Sequence, residues 1–195
     1  LSSFKFIIRS LLESLVNIHK NQIVHQDIKL SNLIISSNLS DVTLSDWGSA
    51  HIVSDNLSPL VGSRLYRSPE MLLGAKNYRT KGDIWAVGAI ILNILCDDKL
   101  PWNASSSDKE LIEMSKIFGG RELISYAENN LHLKIKENIS NSFSPEITMK
   151  YENFFSDQFK ELQDPSLIDL MNKLLTLDMN KRPSAEEALN HHFFN

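Results

Sequence analysis

The run His25-Gln26-Asp27-Ile28-Lys29-Leu30-Ser31-Asn32 puts an imidazole, a carboxylate, an ammonium and a carboxamide within eight residues. Asp46-Trp47-Gly48 adds a second carboxylate 21 residues after His25. A carboxylate can take a proton, an ammonium can offset anionic charge, and carboxylate and carboxamide oxygens suit a hard cation such as Mg²⁺. Taken singly, each residue has a plainer reading: Asp and Asn in loops form turns and caps, and an isolated Lys is a solvated charge. The joint spacing carries more. Four fixed residue types, at about one in twenty each, coincide in roughly one chain in a thousand of this length.

These residues need elements to hold them. Three short apolar runs, Ile23-Val24, Leu33-Ile34-Ile35 and Val42-Thr43-Leu44, are separated by polar turns and predict short strands, with a hairpin over 36–41. Phe4, Ile7, Ile8, Leu11, Leu12, Leu15 and Ile18 recur at steps of three and four, predicting an amphipathic helix that Asn21 closes. From Gly48 to Ser68 nothing is periodic, the mark of a long loop that is either functional or disordered. Residues 84–96 are apolar on nearly every face and predict a helix through the core, with Trp85 and Trp102 as core residues. A short helix over 111–118 is expected to end at Gly119-Gly120, and residues 121–158 are weakly patterned, broken by Pro145. Residues 166–176 and 184–189 predict two closing helices, the second opened by the capping box Ser184-Ala185-Glu186-Glu187. His191-His192 reads as surface, with no carboxylate expected beside it. The fold class is mostly α with a small β element.

Length and composition set the outer limits. At 195 residues, 42% hydrophobic and 23% charged, the chain fits one globular domain. Lys+Arg 20 against Asp+Glu 24 leaves −4, which points away from nucleic acid and anionic membranes as partners. The single cysteine, Cys96, excludes a disulfide framework and fits a reducing compartment. No secretory signal is visible and the Ile84–Cys96 stretch is too short to span a membrane, so cytoplasm or nucleus is the expected location. A start at Leu1 rather than Met reads as a fragment or a processed form.

With Asp46-Trp47-Gly48 and Ser68-Pro69-Glu70 added to the first run, the whole chain resembles the C-terminal, large lobe of a eukaryotic protein kinase. The resemblance implies a catalytic loop at 25–32, an activation segment at 46–70 and transfer of phosphate from ATP, with Mg²⁺, to protein Ser or Thr. Asp27 would then be the catalytic base and Lys29 the contact to the transferred phosphate. Asn32 and Asp46 would hold Mg²⁺, with Lys29 completing the nucleotide contacts. His25, Trp47 and Gly48 would be structural support. Glu70 would pair with Arg182 of Asn180-Lys181-Arg182-Pro183, and Asp83 would cap the catalytic loop from below.

Within that family, Gly62-Ser63-Arg64-Leu65-Tyr66-Arg67-Ser68-Pro69-Glu70 is similar to the group of cyclin-dependent, MAP, glycogen synthase and casein kinase II enzymes. Residues of about 119–158 match that group's insert. Trp47 in place of Phe is most similar to the casein kinase II catalytic (alpha) subunit, which implies substrates with acidic Ser/Thr sites and a possible regulatory subunit. Ser63, Arg64 and Arg67 would then meet the substrate, unless the arginines only lock the segment to its neighbours. Other kinases of the group, a replication-origin cell-division-cycle kinase and a non-catalytic kinase-like scaffold stay open as alternatives.

Three departures set expectations of their own. Gln26 stands where many kinases carry an arginine that grips a phosphorylated loop, so no phosphate at Ser54 or Ser58 is expected to be required. His192 replaces a proline of the usual ending. No Gly-rich loop, Val-Ala-x-Lys strand or partner glutamate helix is found in the sequence, so the small N-terminal lobe is expected to be absent, and the chain by itself to bind ATP poorly and catalyse little.

Overall fold

The computed structural model describes residues 1–195 as a helical body carrying two small two-stranded sheets. Helix α1 (Ser2–Lys20) buries Phe4, Ile8, Leu11, Leu12 and Leu15, the stripe that the three-and-four spacing predicts, and ends at Asn21. Strand β1 (Ile23–Val24) leads into the loop that holds Asp27. Strands β2 (Leu33–Ile35) and β3 (Val42–Leu44) form the expected antiparallel hairpin, with Leu33 opposite Leu44. A fourth strand, β4 (His51–Ile52), pairs antiparallel with β1 inside the stretch that has no sequence period. The short helix α2 (Pro69–Leu72) follows, with Pro69 in its first turn where a missing N–H is harmless.

Helix α3 (Lys81–Leu95) is the axis of the molecule. Thirteen of its 15 residues are buried, as its apolar faces require. It packs against α1 and against the penultimate helix of the chain. Trp85 and Trp102 are fully buried, with ring centroids 5.7 Å apart.

Helix α4 (Ser107–Phe118) starts earlier than its apolar residues announce, because Ser106 caps it by accepting from the Lys109 N–H. Gly119-Gly120 ends α4 after Phe118, as the sequence predicts. Gly119, at φ 84°, caps α4, and α5 (Gly120–Ser125) begins at once, running into a π-helical turn at Tyr126–Asn130. A side chain at position 120 would lie 2.5 Å from the Ser144 carbonyl oxygen, so that glycine serves close packing. Helix α6 (Glu137–Ser140), two 3₁₀ segments, α7 (Pro165–Leu174), α8 (Ala185–Leu189) and a last 3₁₀ turn at His192–Phe194 complete the chain. The capping box of α8 forms as expected, with Ser184 and Glu187 exchanging both hydrogen bonds. No helix is long and apolar enough to cross a membrane.

Candidate active site

The site is built on a strained turn. Gln26 has φ 67°, a left-handed backbone that a residue with a Cβ adopts only when its surroundings compel it. The compelling group is Asp83, almost fully buried in the first turn of α3: its two oxygens accept the N–H groups of His25 and Gln26, each at 2.9 Å. His19 adds a third bond to the same carboxylate, Nε2 to Oδ2 at 2.9 Å. Asp83 thus caps the loop from below. His19 escaped the sequence reading, since it lies 64 residues from Asp83 on what reads only as a helix face.

His25 is fully buried. Its Nε2 bonds the Ser45 carbonyl at 3.1 Å, its Nδ1 accepts the Asp27 N–H at 3.3 Å, and Trp47 lies against its ring at a centroid distance of 4.9 Å. With both nitrogens engaged by backbone, it braces the loop against the end of the β2–β3 hairpin.

Asp27 stands at the centre. One carboxylate oxygen accepts the Ser63 N–H at 2.7 Å, and the other meets the Lys29 ammonium at 2.7 Å and the Asn32 carboxamide at 3.3 Å. Burial pushes the carboxyl upward, but the bonds from Lys29 and Ser63 outweigh it and hold its pKa below the ordinary aspartate value. Lys29 also donates to the Ser63 hydroxyl at 3.0 Å. Asp27, Lys29, Asn32 and Ser63 therefore form one cluster.

Asn32 gives its N–H to the Asp27 carbonyl at 2.8 Å, which leaves its side-chain oxygen without a protein partner. Its backbone carbonyl accepts from Ser45 at 2.9 Å, bringing the residue before Asp46 alongside. Asp46 is exposed and left-handed at φ 62°, and only one of its oxygens is bonded, to the Gly48 N–H at 3.4 Å. These unengaged hard oxygens fit the needs of Mg²⁺, which takes few protein ligands and keeps its waters.

Arg64 and Arg67 are committed elsewhere. The Arg64 guanidinium pairs with fully buried Glu110 at 2.7 Å and also bonds the Ala104 carbonyl. Arg67 donates to the carbonyls of Val61 and Gly62. Of the two roles the sequence allowed, the contacts formed are those that lock the segment. Ser68-Pro69-Glu70 is anchored by the Glu70–Arg182 pair, bonded at 2.8 and 3.0 Å with both side chains fully buried.

His191 departs from expectation. It is buried, and its Nε2 lies 2.9 Å from Asp169 Oδ2, so a carboxylate does accompany it. Its Nδ1 accepts the Phe193 N–H, and the Lys173 ammonium sits 3.1 Å from Nε2. That arrangement suits a hydrogen-bonded brace better than a metal ligand, whose second nitrogen would have to donate.

A family model for the protein kinase domain matches residues 2–194. The chain is 34% identical to cyclin-dependent kinase G-1 of Oryza sativa subsp. indica, over 99% of this chain and 28% of that protein. It is 29% identical to casein kinase II subunit alpha' of Saccharomyces cerevisiae, over 100% of this chain and 57% of that protein. A probable serine/threonine-protein kinase of Dictyostelium discoideum is 27% identical over 97% of this chain and 32% of its own length. The chain thus spans 28% to 57% of the length of these relatives. With its match running almost end to end, this chain belongs to the protein kinase family.

Proposed function

We propose that the chain carries the catalytic floor of a Ser/Thr protein kinase, with residues 25–32 as the catalytic loop, 46–70 as the activation segment and about 119–158 as a group-specific insert. The observation that carries the reading is the Asp27 cluster. A carboxylate held ionised by Lys29 and Ser63, with Asn32 beside it, is ready to orient a substrate hydroxyl and take its proton. Lys29 offsets the charge of the phosphoryl group as the hydroxyl oxygen approaches it, while Ser63 keeps Asp27 from turning away. Asn32 and Asp46 would hold Mg²⁺, which neutralises phosphate charge when bound with ATP.

The proposal extends to a large lobe that works beneath a covering unit. Six of the eight exposed large apolar side chains fall between residues 34 and 60: Ile34, Ile35, Leu39, Trp47, Ile52 and Leu60. Trp47 among them lies against His25 beside the Asp27 cluster, and an exposed indole there suits a surface that another body covers. The reading includes a casein kinase II alpha-like specificity for acidic Ser/Thr sites and a regulatory subunit. They rest on Trp47 and the Ser63–Glu70 run, whereas Arg64 and Arg67 spend their charge within the chain.

The test is phosphate transfer from labelled Mg-ATP to a Ser-containing protein substrate by the full-length protein. Asp27→Asn is expected to lower the rate by about 10²–10⁴-fold with nucleotide binding nearly unchanged. Transfer that survives the substitution contradicts the assignment of Asp27.

A further inference from the structure

Between the catalytic loop and the activation segment lies a contact that the Asp27 cluster does not use. Tyr78, in the turn before α3, is 1% exposed. Its hydroxyl donates to the Ser58 carbonyl at 2.7 Å and accepts from the Gln26 side-chain N–H. Its ring belongs to a small core of Val24, Leu57, Met71, Tyr78 and Met179, separate from the main one. Leu57 is the activation segment's own contribution to that core, and its N–H bonds the Lys76 carbonyl at 2.9 Å.

The segment then runs close over the catalytic loop. At Gly62, φ 71°, a Cβ would collide with the Gln26 carbonyl, and the next residue, Ser63, bonds Asp27. Every group in the chain of bonds from Gln26 through Tyr78 to Ser58 is uncharged. Burial pushes the Tyr78 hydroxyl up to about 12, so it remains a donor throughout the neutral range.

We infer that Tyr78 is the positioning residue of the activation segment: its hydroxyl ties Gln26 to Ser58, and this neutral relay keeps Ser63 seated on Asp27. The functional meaning of that seating rests on the kinase reading above, but the relay itself is tested without catalysis. Both Leu57 and Ser63 amides are hydrogen-bonded, so their hydrogen exchange reports whether the segment is fastened.

Tyr78→Phe keeps the ring in its core and removes only the hydroxyl. In the chain as it stands, the Leu57 and Ser63 amides are expected to exchange roughly five- to tenfold faster, as loss of one or two net hydrogen bonds implies. The amides of α3 and α7 should keep their rates. Gln26→Met, which cuts the same relay at its other end, should give a similar acceleration, and the double variant little more than either single one.

Unchanged exchange at Leu57 and Ser63 in both variants would overturn the inference. So would acceleration spreading through α3 and α7, which would make Tyr78 a packing residue alone. Additive effects in the double variant would do the same, since they would separate Gln26 from Tyr78. Absence of phosphate transfer leaves the exchange result standing, and a failed relay leaves the Asp27→Asn result standing.

Discussion

Two acid–arginine pairs fasten the activation segment to the helical body, and they are built to different standards. In the first, Arg182 holds Glu70 by two bonds and spends its remaining donors on the carbonyls of Lys81, Thr176 and Leu177, with its guanidinium 5.1 Å above the Trp85 ring. Both oxygens of Glu70 are satisfied. In the second, Glu110 is just as buried, yet only one oxygen reaches Arg64 and the other has no partner. Arg64 keeps a third of its side chain in solvent. A complete pair offsets its buried charge, while an incomplete one leaves a buried acid whose charge is costly. The end of the segment is therefore bolted, while Arg64, six residues before Glu70, is held by an acid that is only half satisfied.

The largest expected effect breaks the bolted pair. Arg182→Leu leaves Glu70 buried without its counter-charge and should cost about 3–5 kcal/mol of stability, measured by denaturant unfolding. A cost under about 1 kcal/mol would mean that the pair is a bystander to the packing of Trp85.

A smaller effect sharpens the contrast. Burial pushes the Glu110 carboxyl up to about 7, against the pull of Arg64 and Arg67, where an ordinary Glu titrates at 4.5. Across that window the folded chain keeps a proton that the unfolded chain has released. Stability contributed by this group therefore falls as pH rises from about 4.5 to about 7. Glu110→Gln, which stands in for the protonated acid, should flatten that part of the pH–stability curve, matching the parent at its acid end and exceeding it at neutral pH. A curve that keeps its slope in the variant would assign the titration to another group.

The sequence made the scaffold legible where one element could speak for itself. Helices α1 and α3 announce themselves by where their apolar residues fall, and the β2–β3 hairpin by its polar turn. Strand β4 stayed hidden because it is two residues long and owes its existence to β1, far back in the chain. Helix α5 stayed hidden in a weakly patterned stretch, because Gly120 opens it by packing on Ser144, a neighbour known only after folding. The same division runs through the site. Spacing singled out Asp27, Lys29, Asn32 and Asp46, but their proposed roles, like the Glu70–Arg182 partnership, came from family resemblance. Gln26–Tyr78, Arg64–Glu110 and His19–Asp83 join positions 46 to 64 residues apart, and no local pattern links such partners.

The central claim is that the chain holds Asp27 as an ionised carboxylate ready to receive a proton. Its titration, followed by NMR of the ¹³C-labelled carboxyl group, tests this most directly. The expected result is an apparent pKa below the ordinary 3.8, moving upward in Lys29→Met as the ammonium bond is lost. A carboxyl that titrates at or above 3.8 in the unaltered chain, or that ignores the loss of Lys29, would contradict the account.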